Sequence, residues 1–202
     1  GIGLARQDQR HIDAARGGRI ASLCVYDEEL LVGAGDDALA WGSYPLAPWA
    51  GRLRQGRFCF EGREYRMPCN SGPHAMHGTV FTRRWQRVAA DTLRIELQPG
   101  WPFDGFALQR FVLHDDGLDV QLELHARTQA YPASAGFHPW FRRRLRRGAP
   151  LALDFGASHR VVLYSDGLPT GALAPPDTAT GDDCFIGLHR VPCLHWPGVL
   201  RL

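Results

Sequence analysis

Apolar and polar residues alternate in short runs along most of the chain. Residues 19–26 are rich in strand-forming side chains, and in residues 92–98 the apolar Leu93, Ile95 and Leu97 alternate with polar residues. A period of two places alternate side chains on opposite faces of a strand. No stretch shows a long helical period. The pattern therefore predicts a chain built of β-strands, with helix limited to short turns.

Turn residues predict that neighbouring strands pair in an antiparallel way. Glu61-Gly62 lies in the middle of residues 57–66, which predicts a tight hairpin. Asp115-Asp116-Gly117 lies between the strand-like residues 106–113 and 118–125 and predicts another. Many short strands separated by turn signals are typical of an antiparallel sandwich or barrel.

Two further strands are predicted at residues 151–155 and 160–164. Four stretches resist the strand pattern and are predicted as loops: residues 33–53, 68–84, 130–141 and 168–183. The first three are rich in aromatic residues, histidine or arginine. Loops of this composition are where a β scaffold usually carries its site.

Composition narrows the possible functions. The 202 residues are enough for one sizeable domain, and the net charge of +2 is too small to indicate nucleic acid or an anionic membrane as partner. The chain has no lysine, which excludes lysine Schiff bases, pyridoxal-phosphate anchoring and a P-loop lysine.

Five cysteines form an odd set without a CxxC pair. We interpret them as reduced, mostly buried thiols of a cytoplasmic protein rather than as disulfides or a zinc site. No apolar run reaches membrane-spanning length, and no secretory signal pattern opens the sequence.

His138 stands in the most aromatic segment, between Phe137 and Pro139 and before Trp140 and Phe141. Aromatic neighbours partly desolvate an imidazole, which can then give or take a proton near neutral pH. The aromatic faces offer apolar surface for the C–H face of a sugar. The alternative is a core histidine that is satisfied by a backbone carbonyl, since such histidines are common.

Other candidate residues carry weaker signals. His74 and His77 form only a weak metal motif without a third ligand, so hydrogen bonding to a substrate is the favoured role. Gly78 indicates a backbone that something approaches closely. The sequence favours neither of two roles for Arg52: binding the hydroxyls of a polyol through its guanidinium, or a surface position without a ligand. The arginine-rich residues 142–147 predict a solvated turn, with a phosphate site as the alternative.

Five segments in order along the chain carry a family pattern: P-W-A-G-R-L-R-Q-G-R-F (48–58), H-A-M-H-G (74–78), F-H-P-W-F (137–141), L-P-T-G (168–171) and D-D-C-F (182–185). They resemble the motifs Asn-Arg-Ile-x-x-Gly-x-Phe, Asn-x-Leu-His-Gly, His-x-Tyr-Phe, Pro-Thr-Gly and Asp-x-x-Phe of the aldose 1-epimerase (galactose mutarotase) family. Gly51 stands where the family usually has asparagine. Each motif alone is weak, and the ordered set is strong.

The resemblance implies roles for individual residues. It places Arg52 on a sugar-binding arginine, His77 on a substrate-binding histidine and His138 on the catalytic histidine. Asp182 is the better match to an aspartate that holds sugar hydroxyls. Trp140, beside the catalytic histidine, is expected to add its ring to substrate binding.

The resemblance also implies a large antiparallel β-sandwich, with the sugar in an open cleft on one sheet. The implied reaction needs no cofactor or metal and interconverts the α- and β-anomers of a free aldose. The ring oxygen is protonated and the anomeric hydroxyl loses a proton, so both steps need groups poised near neutral pH. His138 is the implied acid. The implied partner is a small sugar, without nucleic acid or membrane, and the oligomeric state is left open.

The general base has no counterpart in this sequence. In the family it is a glutamate beyond the Asp-x-x-Phe motif, whereas no glutamate follows Glu123 here. We therefore expect residues 1–202 to form one C-terminally incomplete domain with an unpaired sheet edge. Two alternatives to the epimerase stay open: an epimerase of hexose 6-phosphates that uses residues 142–147, and a catalytically silent sugar-binding module.

Overall fold

A computed structural model describes residues 9–114, 117–177 and 183–202. The chain divides into two compact units, Gly1–Arg142 and Arg143–Leu202. The expectation of a single domain over residues 1–202 stays a prediction. Across the described ranges, no helix is long and apolar enough to cross a membrane.

Short strands make up most of the first unit. In chain order they are β1 (Gln9–Asp13), β2 (Arg19–Val25), β3 (Glu28–Glu29), β4 (Ser43–Leu46), β5 (Arg52–Leu53), β6 (Arg57–Phe60), β7 (Arg63–Arg66), β8 (Ala75–Met76), β9 (Gln86–Ala89), β10 (Thr92–Glu96), β11 (Gly105–His114), β12 (Gly117–Ala126) and β13 (Gly136–Pro139). A 3-10 turn, Arg54–Gly56, is the helical element of the described residues, as the lack of helical periodicity predicts.

Antiparallel pairing organises these strands into two larger sheets. One has the order β1-β2-β4-β13, with β3 also paired to β2, and the other has the order β12-β11-β10-β9. Two small pairs, β5-β8 and β6-β7, complete the unit. The site described below lies where β4, β5, β8 and β13 end.

The predicted alternation in residues 92–98 marks the core. Leu93 and Leu97 are fully buried, and so are Ala107 and Phe111 on the paired strand β11. The polar neighbours of Leu93 and Leu97 face outward, since alternate residues of a strand point to opposite faces. The period-two interpretation of this segment is therefore confirmed.

Both predicted hairpins form. Strands β6 and β7 pair across Glu61 and Gly62, whose φ angles of 48° and 76° are those of a turn with two left-handed central residues. Strands β11 and β12 pair over ten positions, from Gly105–Ala126 to His114–Gly117. The residues between them, 115 and 116, lie outside the described part.

The second unit is a four-stranded antiparallel sheet of order β15-β14-β16-β17. Its strands are β14 (Ala152–Leu163), β15 (Pro169–Ala174), β16 (Cys184–Trp196) and β17 (Leu200–Arg201). The prediction of two separate strands at 151–155 and 160–164 is wrong, because both belong to β14. The register between β14 and β16 shifts on both sides of Gly156, and β14 continues through this irregularity. A Cβ at Gly156 would lie 2.6 Å from Nε2 of His189, which is a side-chain atom.

The four predicted loops are not wholly irregular. They contain β4 and β5 (33–53), β8 (68–84), β13 (130–141) and β15 (168–183). Residues 178–182 of the last one lie outside the described part. Short strands bounded by proline and glycine carry too few residues for an alternating pattern to be recognised.

The interpretation of the cysteines as mostly buried is wrong, since none of the five is fully buried. Three are exposed (Cys59, Cys69 and Cys184) and two are half-buried (Cys24 and Cys193), all with free thiols. Cys59 and Cys184 lie at exposed positions of β6 and β16, and Cys69 lies in the loop before β8. The arginines of residues 142–147 are exposed, in agreement with the predicted solvated turn.

Candidate active site

Strand β13 holds His138 beside β4. His138 pairs with Tyr44, and the flanking pairs are Phe137 with Pro45 and Pro139 with Ser43. Beyond the strand, the backbone N–H of Trp140 donates to the carbonyl of Gly42 (2.8 Å). The backbone that carries His138 is therefore fixed by a continuous ladder.

Three aromatic rings line one side of this ladder. The ring of His138 stacks on Tyr44 at 5.0 Å with an interplanar angle of 4°, and on Trp140 at 5.7 Å and 24°. His138 and Trp140 share a face because they are two residues apart on an extended chain. Trp140 is 38% exposed, so part of its ring is available to a ligand.

Tyr44 is buried at the inner end of this row. Its hydroxyl donates to the carbonyl of Leu39 (3.1 Å). Burial raises the pKa of Tyr44, and a side-chain hydrogen bond with Trp140 and the positive charge of Arg19 partly offset that rise. The phenol therefore stays neutral and fixes the rings of its neighbours.

His77 meets His138 from the adjacent loop, with ring centres 5.2 Å apart and an edge-to-face angle of 65°. The backbone N–H of Gly51 donates to Nδ1 of His77 (3.2 Å), and the N–H of His77 donates to the carbonyl of Gly51 (2.9 Å). A neutral imidazole that accepts at Nδ1 carries its proton on Nε2. The proton of His77 is therefore on Nε2.

Gly78 sets the close approach of this loop to the end of β4. Gly78 and Ala47 form a parallel bridge, and the N–H of Thr79 donates to the carbonyl of Ala47 (2.8 Å). At Gly78 φ is +80°, and a Cβ would lie 1.8 Å from that carbonyl oxygen. Only glycine fits here, as the sequence suggested.

Asn70 holds the short β5–β8 pair in place. Its Oδ1 accepts from the N–H of Met76 (2.7 Å), and its Nδ2 donates to the carbonyl of Met76 (3.1 Å). Met76 is the partner of Arg52 and precedes His77. The amide of Asn70 thus positions two predicted site residues through one backbone unit.

We expect Asn70→Ala to lower the free energy of unfolding by about 1–3 kcal/mol, because both Met76 groups lose a partner. Urea denaturation followed by tryptophan fluorescence measures the change. Ser71→Ala is the control, since no side-chain hydrogen bond of Ser71 occurs in the described residues. Equal stability of the two variants would contradict the role of Asn70.

His74 contacts the backbone of the adjacent 3-10 turn. It is buried, and its Nδ1 accepts from the backbone N–H of Gln55 (3.1 Å). In the described ranges no three His, Cys, Asp or Glu side chains are grouped so that they could hold a metal ion. His74 and His77 both commit Nδ1 to the backbone.

Arg52 lies on β5, directly after Gly51, and its side chain is exposed. Within residues 9–114, 117–177 and 183–202, its guanidinium has no ion-pair or hydrogen-bond partner. The five donors of the fork are therefore open to a ligand. Asp182, the fourth predicted binder, lies outside the described residues.

The ring of His138 thus contacts the rings of His77 and Trp140, and Gly51, which precedes Arg52, is hydrogen-bonded to His77. The sequence analysis missed Tyr44 and Asn70 as parts of the site. Pro45 argues against a strand at Tyr44, because proline lacks the N–H that a central strand needs. An isolated asparagine in a loop gives no signal for a distant backbone partner.

Comparison with solved structures identifies the fold. A galactose mutarotase-like protein from Clostridium acetobutylicum is similar with a TM-score of 0.75 and 16% identity, over 94% of this chain and 71% of that one. Galactose 1-epimerase from Lactobacillus acidophilus NCFM is similar with a TM-score of 0.66 and 17% identity, over 91% and 59%. These likenesses confirm the predicted galactose mutarotase-like β-sandwich.

Sequence comparison identifies the family. The chain is 31% identical to the uncharacterized protein YihR of Escherichia coli K12 over 106 residues, which is 47% of this chain and 34% of that protein. It is 26% identical to galactose mutarotase of Sus scrofa over 143 residues, 62% of this chain and 40% of that one. The chain thus spans well under half of these relatives. The model of the family described as Aldose 1-epimerase matches residues 13–183. This chain belongs to the aldose 1-epimerase family.

Proposed function

We propose that this protein interconverts the α- and β-anomers of a free aldose, with His138 as general acid. Arg52, His77, Trp140 and Asp182 are the proposed sugar-binding residues. The observation that carries the proposal is the contact of His77 with His138 beside the exposed face of Trp140. Family membership supports the reaction class.

The proposed chemistry moves two protons and changes no oxidation state overall. The imidazolium of His138 gives its proton to the ring oxygen as the bond from that oxygen to C1 breaks. The anomeric hydroxyl loses its proton to a base, which leaves the open-chain aldehyde. Rotation about C1–C2 exposes either face of the aldehyde, and the reverse proton transfers close the ring.

The neighbouring groups suit a pyranose. The Nε2–H of His77 and the guanidinium of Arg52 donate to hydroxyl oxygens, which are acceptors for both. The exposed part of the Trp140 ring provides an apolar surface for the C–H face of the sugar. In the proposed complex, these donors and the Trp140 ring hold the sugar with its ring oxygen at His138.

Anomer exchange tests the proposal directly. Freshly dissolved α-D-galactose and α-D-glucose are followed by polarimetry and by NMR saturation transfer between the two anomeric protons. We expect acceleration over buffer that is proportional to protein concentration. The assay is repeated with increasing acetate and phosphate, since an external base can take the proton of the anomeric hydroxyl.

Three outcomes would overturn the proposal. One is binding of the sugar without exchange at any buffer concentration, which indicates a sugar-binding module. Another is exchange of hexose 6-phosphates far above that of free hexoses, which indicates a phosphosugar epimerase. The third is neither binding nor exchange with common hexoses and pentoses.

We expect Arg52→Gln to raise KM about 10- to 100-fold, because a charged donor to a hydroxyl contributes roughly 1.5–3 kcal/mol. The exposed Arg54, two residues away, provides the control: Arg54→Gln is expected to leave KM unchanged. Initial rates of exchange over a range of sugar concentrations give both values. Similar KM values for the two variants would exclude Arg52 from sugar binding.

A further inference from the structure

Arg19, at the start of β2, carries a buried positive charge. Only 1% of the residue is exposed. Its guanidinium donates to four backbone carbonyls: Arg16 (2.8 Å), Ala38 (3.0 Å), Trp41 (3.0 Å) and Phe81 (2.9 Å). No carboxylate forms an ion pair with it in the described part of the chain. Such a charge is costly to bury, so its retention calls for an explanation.

The guanidinium lies behind the ring row of the candidate site. Its central carbon is 4.0 Å from the ring centre of Trp41 and 5.0 Å from that of Tyr44. The opposite neighbour of Tyr44 in the row is His138, again at 5.0 Å. The charge therefore lies within about 10 Å of the imidazole, separated from it by an aromatic ring instead of water.

We propose that Arg19 is a positioning residue for proton transfer, whose charge acts on His138 through Tyr44. The inference rests on the proposed role of His138 as the acid. A positive charge at this distance disfavours the protonated imidazole. The imidazolium is then a stronger acid toward the weakly basic ring oxygen of a sugar.

Among the described residues, other titratable groups act on Arg19 or on the rings of this row. Asp13, the acid that acts on Arg19, is already paired with Arg16 at 2.6 Å. Asp37, which acts on Tyr44, accepts from the backbone N–H of Leu39. From the adjacent loop His77 faces His138, and its Nδ1 accepts from Gly51. Tyr44 itself stays neutral, because burial raises its pKa.

The hydrogen bonds of Arg19 also connect the segments that carry the site. The carbonyls of Ala38 and Trp41 precede β4, and that of Phe81 follows the loop of His77 and Gly78. Replacing Arg19 therefore alters packing as well as charge. A test has to separate these two effects.

The test is an NMR titration of the His138 imidazole in ¹⁵N-histidine-labelled protein. The signal is assigned by its loss in His138→Gln. We expect Arg19→Met to move the titration midpoint up by roughly 0.3 to 1 pH units, from Coulomb's law at 10 Å with a dielectric constant of roughly 20 to 80. Arg19→Lys, which keeps the charge, is expected to restore the wild-type midpoint.

Arg83→Met is the matched control for lost hydrogen bonds. Arg83 also donates to three backbone carbonyls, those of Glu96, Leu97 and Gln98, and makes no ring contact with the row. Its replacement is expected to leave the His138 midpoint unchanged. No shift in Arg19→Met, an equal shift in Arg83→Met, or failure of Arg19→Lys to restore the midpoint would overturn the inference.

If Arg19→Met does not fold, Arg19→Gln takes its place, because its amide can still donate to the carbonyls that surround Arg19. This variant also removes the charge, so we expect it to move the His138 midpoint up by the same roughly 0.3 to 1 pH units. An unchanged midpoint would overturn the inference. The titration needs no turnover, so failure of the proposed anomer exchange does not affect this result.

Discussion

His138→Gln is expected to slow anomer exchange about 10²- to 10⁴-fold, the usual contribution of a positioned acid–base group. Glutamine can occupy the place between Tyr44 and Trp140, but it cannot give a proton to the ring oxygen. Initial rates of exchange at saturating sugar measure the loss. Sugar affinity, from calorimetric titration, is expected to change only a few-fold.

The control for this variant is His114→Gln. His114 is an exposed histidine on β11 that contacts Asp119 at 2.9 Å, and the proposal gives it no part in the reaction. We expect its exchange rate to equal that of the wild type. If His138→Gln keeps more than about a tenth of the wild-type rate, with an unchanged fold, His138 is not the acid.

Gly78→Ala is expected to prevent cooperative folding or to cost more than about 4 kcal/mol, which is exceptional for one methyl group. The added Cβ would lie 1.8 Å from the carbonyl oxygen of Ala47, and this contact is between two backbones that cannot turn away. Relief requires separation of the His77 loop from the end of β4. Chemical denaturation, with near-UV circular dichroism as the probe of packing, measures the effect.

Gly51→Ala separates this clash from the cost of backbone conformation. Both glycines have φ of +80°, but a Cβ at Gly51 has no neighbour within 4 Å. We expect a loss of about 1–2 kcal/mol for Gly51→Ala, the cost of a left-handed conformation alone. Similar losses for the two variants would show that the contact with Ala47 does not matter.

The long strands and tight turns could be predicted from the sequence, because their signals are local. Alternation at Leu93, Ile95 and Leu97 indicates a strand, and the Glu61-Gly62 pair indicates a hairpin. Both signals come from neighbouring residues alone. The short strand β4 could not be predicted. It exists because β2 and β13 supply its partners, and Pro45 opposes it locally.

Family motifs predicted Arg52, His77, His138 and Trp140 as site residues, and their roles stay predictions. The structure shows that the His138 ring contacts the rings of His77 and Trp140. Arg19 could not be found in this way, because an arginine at the start of a strand is usually exposed. Its burial depends on three carbonyls from segments 19 to 62 positions away.

Main-chain groups hold the framework of this site. The bond from the N–H of His77 to the carbonyl of Gly51, the Ala47–Gly78 bridge and the β4–β13 ladder are made by main-chain groups alone. Residues such as Arg52 and Trp140 can therefore be exchanged without loss of the scaffold. Preference for one monosaccharide over another is then free to diverge among homologues, and a directed library at these two positions offers a practical route to new sugar selectivity.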